Sequence, residues 1–81
     1  MTRQYAPRGL GTAGRRLWRE VVAAHELTAG ERVILIEACR SADLCQRLAD
    51  TAEKPGCLRS TRTELRAERS LLARLVRELR I

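Results

Sequence analysis

The sequence is poor in the residues that small proteins usually bury or use for catalysis. Its 81 residues contain no Phe, one Trp, one Tyr and one His. A single core in a chain of this size supplies only about 3–5 kcal/mol, and association with further copies is a common supplement. No apolar run reaches the roughly 18 residues of a membrane-spanning helix, and the first residues lack the apolar segment of a signal peptide. We therefore expect no membrane association and a fold stabilised in part by oligomerisation.

Cysteine is also scarce. The sequence has an odd number of cysteines, namely Cys39, Cys45 and Cys57, and no two of them lie two to four residues apart. This spacing argues against a disulfide framework and against a structural zinc site, and it favours a reducing compartment. We expect neither a metal ion nor another cofactor.

Catalytic groups are missing as well. A catalytic site brings a nucleophile, a base and an orienting group within reach of one another, and His25 is the only histidine. The glycines of "GLGTAG", from Gly9 to Gly14, resemble a dinucleotide-binding loop, but no predicted strand precedes them. We predict that the protein is not an enzyme and that these glycines form a flexible joint before a helix.

Arginine dominates the charged residues. Lys and Arg together number 16 against 10 Asp and Glu, which gives a net charge of +6, and Lys54 is the only lysine. The planar guanidinium group binds phosphate oxygens in pairs. The positive charge is concentrated in residues 1–20 and 59–80, whereas residues 21–58 are net negative. This distribution indicates two basic surfaces; the alternative is that each is simply a solvated face.

The spacing of apolar residues predicts an all-α fold. Residues 1–11 contain Pro7 and two glycines without periodicity, which indicates a flexible basic arm. Residues 12–81 are expected to form one helical domain, with helices over about 12–26, 29–53 and 61–80. We expect one helix followed by a long antiparallel helical hairpin, in a ring-forming oligomer.

Local patterns mark the predicted helix starts. "TAGE" at Thr28–Glu31 and "TRTE" at Thr61–Glu64 match the capping box, in which two side chains cap the helix reciprocally. Thr12 is predicted to cap the first helix. The N-terminus of a helix also offers backbone N–H groups and a positive dipole end to phosphate, so the first helix start is a predicted phosphate-binding element.

A stripe of mostly small residues in the second helix is predicted to pack on an apolar stripe of the third. Trp18 is expected to be substantially buried and to anchor the first helix on this hairpin or on a neighbouring copy. The predicted packing residues, besides Trp18, are Leu35, Ala38, Ala42, Cys45, Leu65, Leu72, Leu75 and Leu79.

Two segments, "GLGTAGRRLWREVVAAHELTAGE" and "LIEACRSADLCQRL", carry a resemblance to a known family. The matched positions are Gly9, Leu10, Gly11, Gly14, Arg15, Leu17, Trp18, Leu27, Glu31, Leu35, Glu37, Ala38, Cys39, Arg40, Ala42 and Asp43. On these residues the chain resembles the small terminase subunits of tailed bacteriophages, in the short branch common among phages of actinobacteria. The resemblance covers about residues 8–50 and continues loosely through the last helix. The linker "KPGCLRSTRTE" is shorter than in that family and lacks its His-Pro.

The resemblance implies a non-enzymatic subunit that recognises viral DNA when packaging begins. Such a subunit forms a ring of many copies and delivers the DNA to the large terminase subunit, which carries the ATPase and the nuclease. The implied partners are double-stranded DNA, the large subunit and further copies of the chain, in the cytoplasm of the bacterial host.

The arginines fall into two predicted sets. The DNA-binding set is Arg3, Arg8, Arg15, Arg16 and Arg19. The second basic face, for DNA or for a partner protein, is Arg62, Arg66, Arg69, Arg77 and Arg80. Two alternatives stay open: a helical oligomerisation or adaptor protein whose arginines bind an acidic protein, and a small dimeric DNA-binding transcription regulator.

Overall fold

The computed structural model describes residues 6–54 and 59–79, without the side chains of residues 59 and 60. Within these ranges the chain forms three helices and no strand, which confirms the all-α prediction. The helices are α1 (Thr12–Ala24), α2 (Ala29–Ala52) and α3 (Arg59–Glu78). Helix α1 ends two residues earlier than predicted because His25 takes an extended conformation.

The two predicted capping boxes have different outcomes. In α2 the Thr28 hydroxyl accepts a hydrogen bond from the Glu31 N–H, and the Glu31 carboxylate accepts one from the Thr28 N–H, both at 3.1 Å. This capping box is confirmed. The prediction that Thr61 starts the third helix is wrong, because α3 already begins at Arg59. Arginine is a good helix former, so the chain continues the helix N-terminally past Thr61.

Helix α2 lies between the other two helices. It packs against both α1 and α3, whose backbones do not come close to each other within the described ranges. Asp43 of α2 hydrogen-bonds to the start of α1, whereas Ser41 of α2 hydrogen-bonds to Glu68 of α3. Ser41 and Asp43 are two positions apart, so their side chains leave α2 in directions that differ by about 200°. Helices α1 and α3 therefore flank α2 on roughly opposite sides.

The direction of α3 follows from two contacts. Glu68 lies beside Ser41 in the middle of α2, and Leu79, directly after α3, joins the cluster that contains Leu35 near the start of α2. The two helices therefore run in opposite directions. No helix of the described residues is long and apolar enough to cross a bilayer.

The core consists of apolar side chains from α1 and from the N-terminal half of α2. It also includes residues before α1, between α1 and α2, and directly after α3. Its buried members are Leu10, Trp18, Val21, Leu27, Leu35, Cys39 and Leu79. Five of the predicted packing residues are buried: Trp18, Leu35, Ala38, Leu65 and Leu79. Four others are half-buried: Ala42, Cys45, Leu72 and Leu75.

Candidate nucleic-acid interface

The start of α1 is capped by a carboxylate from α2. The two carboxylate oxygens of Asp43 accept hydrogen bonds from the Gly11 N–H at 2.7 Å and from the Gly14 N–H at 2.8 Å. Gly11 is the N-cap residue and forms no side-chain cap of its own. In a capping box two side chains accept hydrogen bonds from the N–H groups of the N-cap residue and of the third helical residue. In α1 the single carboxylate of Asp43 accepts from both groups. The prediction that Thr12 caps α1 is wrong, since Thr12 is already the first helical residue.

The glycines of this segment admit the Asp43 carboxylate. A Cβ atom on Gly14 would lie 2.5 Å from Oδ2 of Asp43 and 2.7 Å from the carbonyl oxygen of Cys39. On Gly11 a Cβ atom would lie 2.9 Å from Oδ1 of Asp43. Gly9 differs, since its φ of 88° is a conformation that favours glycine. Gly11 and Gly14 are therefore positions of close helix–helix approach, which corrects their interpretation as a flexible joint.

The chain before α1 packs on the core. Leu10 is 8% exposed within the core cluster, and Ala6 is partly buried against it. Residues 6–11 therefore differ from the free arm predicted for residues 1–11, because Leu10 removes apolar surface from water while the Gly11 N–H binds Asp43. Arg8 in this segment is exposed. Arg3 lies outside the described residues.

Burial of one face of α1 directs its arginines outward. Gly14, Trp18 and Val21 are buried, and Trp18 is only 4% exposed. Trp18 is held by packing alone, since its indole N–H has no hydrogen-bond partner among the described residues. Arg16 lies two positions from both Gly14 and Trp18, which places it roughly opposite the buried face.

The exposed side of α1 is cationic. Arg15, Arg16 and Arg19, hereafter the α1 arginine face, are all exposed. Arg16 approaches Glu20 at 3.3 Å, with both side chains mostly exposed. An exposed pair of this kind contributes little and leaves the guanidinium accessible. The α1 start offers no free backbone N–H to phosphate at Gly11 or Gly14, because Asp43 occupies both. At these two groups the prediction that the helix start binds phosphate is wrong, and the exposed arginine side chains remain candidates for phosphate binding.

A second cationic surface lies on α3. Three arginines and three smaller neighbours line an open groove of about 470 Å³, hereafter the α3 groove: Arg62, Leu65, Arg66, Arg69, Ser70 and Ala73. Arg77 is exposed and is not among the lining residues, so the second predicted set is only partly brought together. Arg80 lies outside the described residues.

Polar side chains of α2 set the position of α3. Ser41 is 3% exposed, and its hydroxyl donates a hydrogen bond of 2.7 Å to Oε1 of Glu68. Glu68 is therefore directed toward α2. Arg66 lies two residues before Glu68 and points roughly the opposite way, away from α2. Arg66 therefore faces outward, whereas Arg69 lies close enough to α2 for its charge to act on the Cys45 thiol.

The two described cysteines are not activated thiols. Burial, with a smaller effect from the Asp43 carboxylate, raises the pKa of Cys39 from 9.0 to about 11. Burial and then the Glu68 carboxylate raise the pKa of Cys45. Both thiols are neutral near pH 7 and act as small, weakly polar packing groups. Cys57 lies outside the described residues, and in the described part no group of three His, Cys, Asp or Glu side chains is arranged to hold a metal ion.

The roles of Asp43 and Ser41 were not predicted from the sequence. One signal was present for Asp43: the N-cap and N3 positions of α1 are both glycine, so this helix has no capping side chains of its own. Such a helix requires an acceptor from elsewhere in the fold. Comparisons of the chain with protein-family models, curated proteins and solved structures found no match.

Proposed function

We propose that this chain is the small terminase subunit of a tailed bacteriophage, a non-enzymatic component that binds viral DNA and delivers it to the large terminase subunit. The observation that carries the proposal is the α1 arginine face. Its three guanidinium groups are exposed on one short helix whose start is fixed by Asp43 and whose opposite face is fixed by Trp18.

A rigid cationic helix face suits the phosphate backbone of DNA. Phosphate neutralisation by arginine supplies most of the affinity of non-specific DNA binding and releases condensed counterions. Because α1 is held in a fixed rotation, little side-chain ordering beyond the arginines themselves accompanies binding. Arg8 extends the cationic surface at the N-terminal end of α1.

The assembly belongs to the proposal as well. The resemblance to small terminase subunits supports a ring of many copies in the cytoplasm of the bacterial host. Head-to-tail contacts generate a ring when the rotation between copies closes. The half-buried residues Ala42, Cys45, Leu72 and Leu75 leave apolar surface for contacts of this kind.

Salt-dependent DNA binding tests the proposal. The triple variant Arg15→Ala, Arg16→Ala, Arg19→Ala is compared with a control that loses the same charge from exposed positions elsewhere, Arg32→Ala, Arg40→Ala, Arg74→Ala. Fluorescence anisotropy with a labelled duplex gives the affinity at a series of salt concentrations. If all three arginines bind phosphates, the variant without Arg15, Arg16 and Arg19 should show a slope of log affinity against log salt that is less steep by about 3. The control variant should change the steepness much less. Equal effects of the two triples would contradict the assignment.

A second candidate function is an oligomerisation or adaptor protein that binds an acidic protein. The exposed arginines of α1 and of the α3 groove are the feature that would bind such a partner. DNA affinity that is insensitive to the α1 triple would favour this adaptor.

The mass of the native assembly, measured with and without a DNA duplex, distinguishes the terminase subunit from a transcription regulator. A multi-copy ring supports the terminase subunit, whereas a dimer supports a transcription regulator. Co-purification with a large terminase subunit tests the delivery step directly.

A further inference from the structure

The α3 groove is a cationic surface without an internal counter-charge. The ion pairs between described side chains are Arg16–Glu20 and Arg40–Glu37, and neither involves the groove. Glu68, which lies between Arg66 and Arg69 in sequence, is hydrogen-bonded to Ser41 on the α2 side. Glu64, two residues from both Arg62 and Arg66, is in neither of these ion pairs. The three arginines of the groove are exposed, and none of them forms an ion pair with another described side chain.

The arrangement of these arginines disfavours the isolated helix. Arg62 and Arg66 are four residues apart, and Arg66 and Arg69 are three apart, so like charges lie side by side on one face. A face that served only to keep α3 soluble would be stabilised by alternating the signs. An anionic partner in the groove would turn this repulsion into attraction.

We propose that the α3 groove binds the phosphate backbone of a second nucleic-acid segment, on the side of α2 opposite to the α1 arginine face. This inference rests on the proposed function, in which the α1 arginine face binds DNA. One chain then holds two segments of duplex, or two parts of one bent duplex.

The chemistry of the groove favours phosphate over an acidic protein. Protein interfaces depend on buried aromatic or aliphatic anchors at their centre. The apolar residues of this groove are Leu65, which is already buried in the fold, and Ala73, which is small. A phosphate backbone needs only cations and hydrogen-bond donors, which Arg62, Arg66 and Arg69 supply.

The dimensions agree with a nucleic-acid strand. From Arg62 to Arg69 the helix rises by about 10 Å. Over the same axial distance one strand of B-DNA presents about three phosphates. Each arginine of the groove can therefore meet its own phosphate.

The two basic surfaces point in different directions. Asp43 and Ser41 place α1 and α3 on roughly opposite sides of α2. Arg16 points away from the buried face of α1, and Arg66 points away from α2. Two surfaces that face in different directions can bind two separate segments of duplex more readily than they can bind one straight duplex.

Bridging of two duplexes tests the inference. A duplex is tethered to beads, the full-length protein is added, and capture of a second, fluorescent duplex is measured. The groove variant is Arg62→Ala, Arg66→Ala, Arg69→Ala, and the charge-matched control is again Arg32→Ala, Arg40→Ala, Arg74→Ala. Far-UV circular dichroism and native mass establish that each variant keeps its helices and its assembly.

The groove variant should still bind the tethered duplex through the α1 arginine face but lose about tenfold or more of the capture, while the control captures as the wild type does. The triple lysine variant Arg62→Lys, Arg66→Lys, Arg69→Lys keeps the charge and should restore capture. Equal loss of capture in the charge-matched control would mean that net charge and not the groove carries the bridging, which overturns the inference.

Three further outcomes test the inference, and the first two separate it from the proposed function. If the wild type binds and bridges duplexes and the groove variant bridges equally well, the inference is wrong and the proposed function stands. If the wild type binds no duplex at all, the proposed function fails first, and the inference fails with it. If poly-glutamate binds the wild type through the groove and duplex does not compete, the groove is a protein-binding site and the inference is overturned.

Discussion

The carboxylate of Asp43 in α2 accepts a hydrogen bond of 2.8 Å from the backbone N–H of Gly14 in α1. Its second oxygen binds the N–H of Gly11. A helix of 13 residues is marginal in isolation, and α1 has no side-chain cap at its own N-terminus. The start of the helix that carries the α1 arginine face is therefore defined by a residue of another helix.

Removal of this cap should destabilise the protein. Asp43→Ala leaves the N–H groups of Gly11 and Gly14 without their acceptor, and we expect a loss of about 1–2 kcal/mol in the free energy of unfolding. Urea unfolding followed by far-UV circular dichroism measures it. The matched control is Asp50→Ala, since Asp50 is exposed and hydrogen-bonds to Gln46 within the same helix. The control should change stability by less than about 0.5 kcal/mol; similar losses in both variants would argue against the cap.

Two glycine substitutions should have opposite signs. Gly14→Ala puts a Cβ atom against the Cys39 carbonyl, a backbone atom that cannot rotate away, so we expect a loss of about 1–3 kcal/mol. Gly30 in the first turn of α2 has no atom within 4 Å of an added Cβ. Gly30→Ala should therefore raise stability, by up to about 1 kcal/mol, through helix propensity. Thermal unfolding of both variants checks the contrast, and a stabilising Gly14→Ala would contradict the close approach of α1 and α2.

The features predictable from sequence are the local ones. Helical periodicity predicted the all-α fold, and the Thr28–Glu31 pattern predicted a cap whose two partners lie three residues apart. Periodicity also placed Arg62, Arg66 and Arg69 on one face of the last helix. Each of these features depends on residues within a few turns of one another, where helix geometry alone fixes their relation.

The features that sequence analysis missed depend on distant partners. Asp43 lies 32 residues from Gly11, and Ser41 lies 27 residues from Glu68. No local rule selects these pairs, because they form only once α1 and α3 have packed on α2. The start of α3 at Arg59 was mispredicted for a related reason: a capping pattern marks a possible helix start, and residues before it can extend the helix.

The Cys39 thiol should resist alkylation until the protein unfolds. Its pKa of about 11, against 9.0 for an ordinary thiol, lowers the thiolate fraction near pH 8 by about 100-fold. In a variant with Cys45→Ser and Cys57→Ser, iodoacetamide should therefore react far more slowly with the folded protein than with the urea-unfolded protein. Equal rates for the folded and the unfolded protein would show that the Cys39 thiol is accessible and has an ordinary pKa.

The same shift makes stability depend on pH. A thiol whose pKa is raised by folding favours the folded state while it is neutral, so its contribution is complete below about pH 9 and is lost as the pH rises toward about 11. The urea midpoint of the Cys45→Ser, Cys57→Ser variant should fall over this window. Further replacement of Cys39 by Ala should remove that part of the pH dependence, and an unchanged pH profile would contradict it.

The Ser41–Glu68 hydrogen bond should be the main polar contact that fixes α3 on α2. Ser41 is buried and donates to a carboxylate, so Ser41→Ala should lower the free energy of unfolding by about 1–2 kcal/mol. Glu68→Gln should cost less, because the amide oxygen still accepts the hydroxyl proton. In a double-mutant cycle of Ser41→Ala with Glu68→Ala, urea unfolding should give a coupling energy of about 1 kcal/mol. Strictly additive losses would mean that the two side chains stabilise the helices separately, and the outward direction of Arg66 would then need another cause.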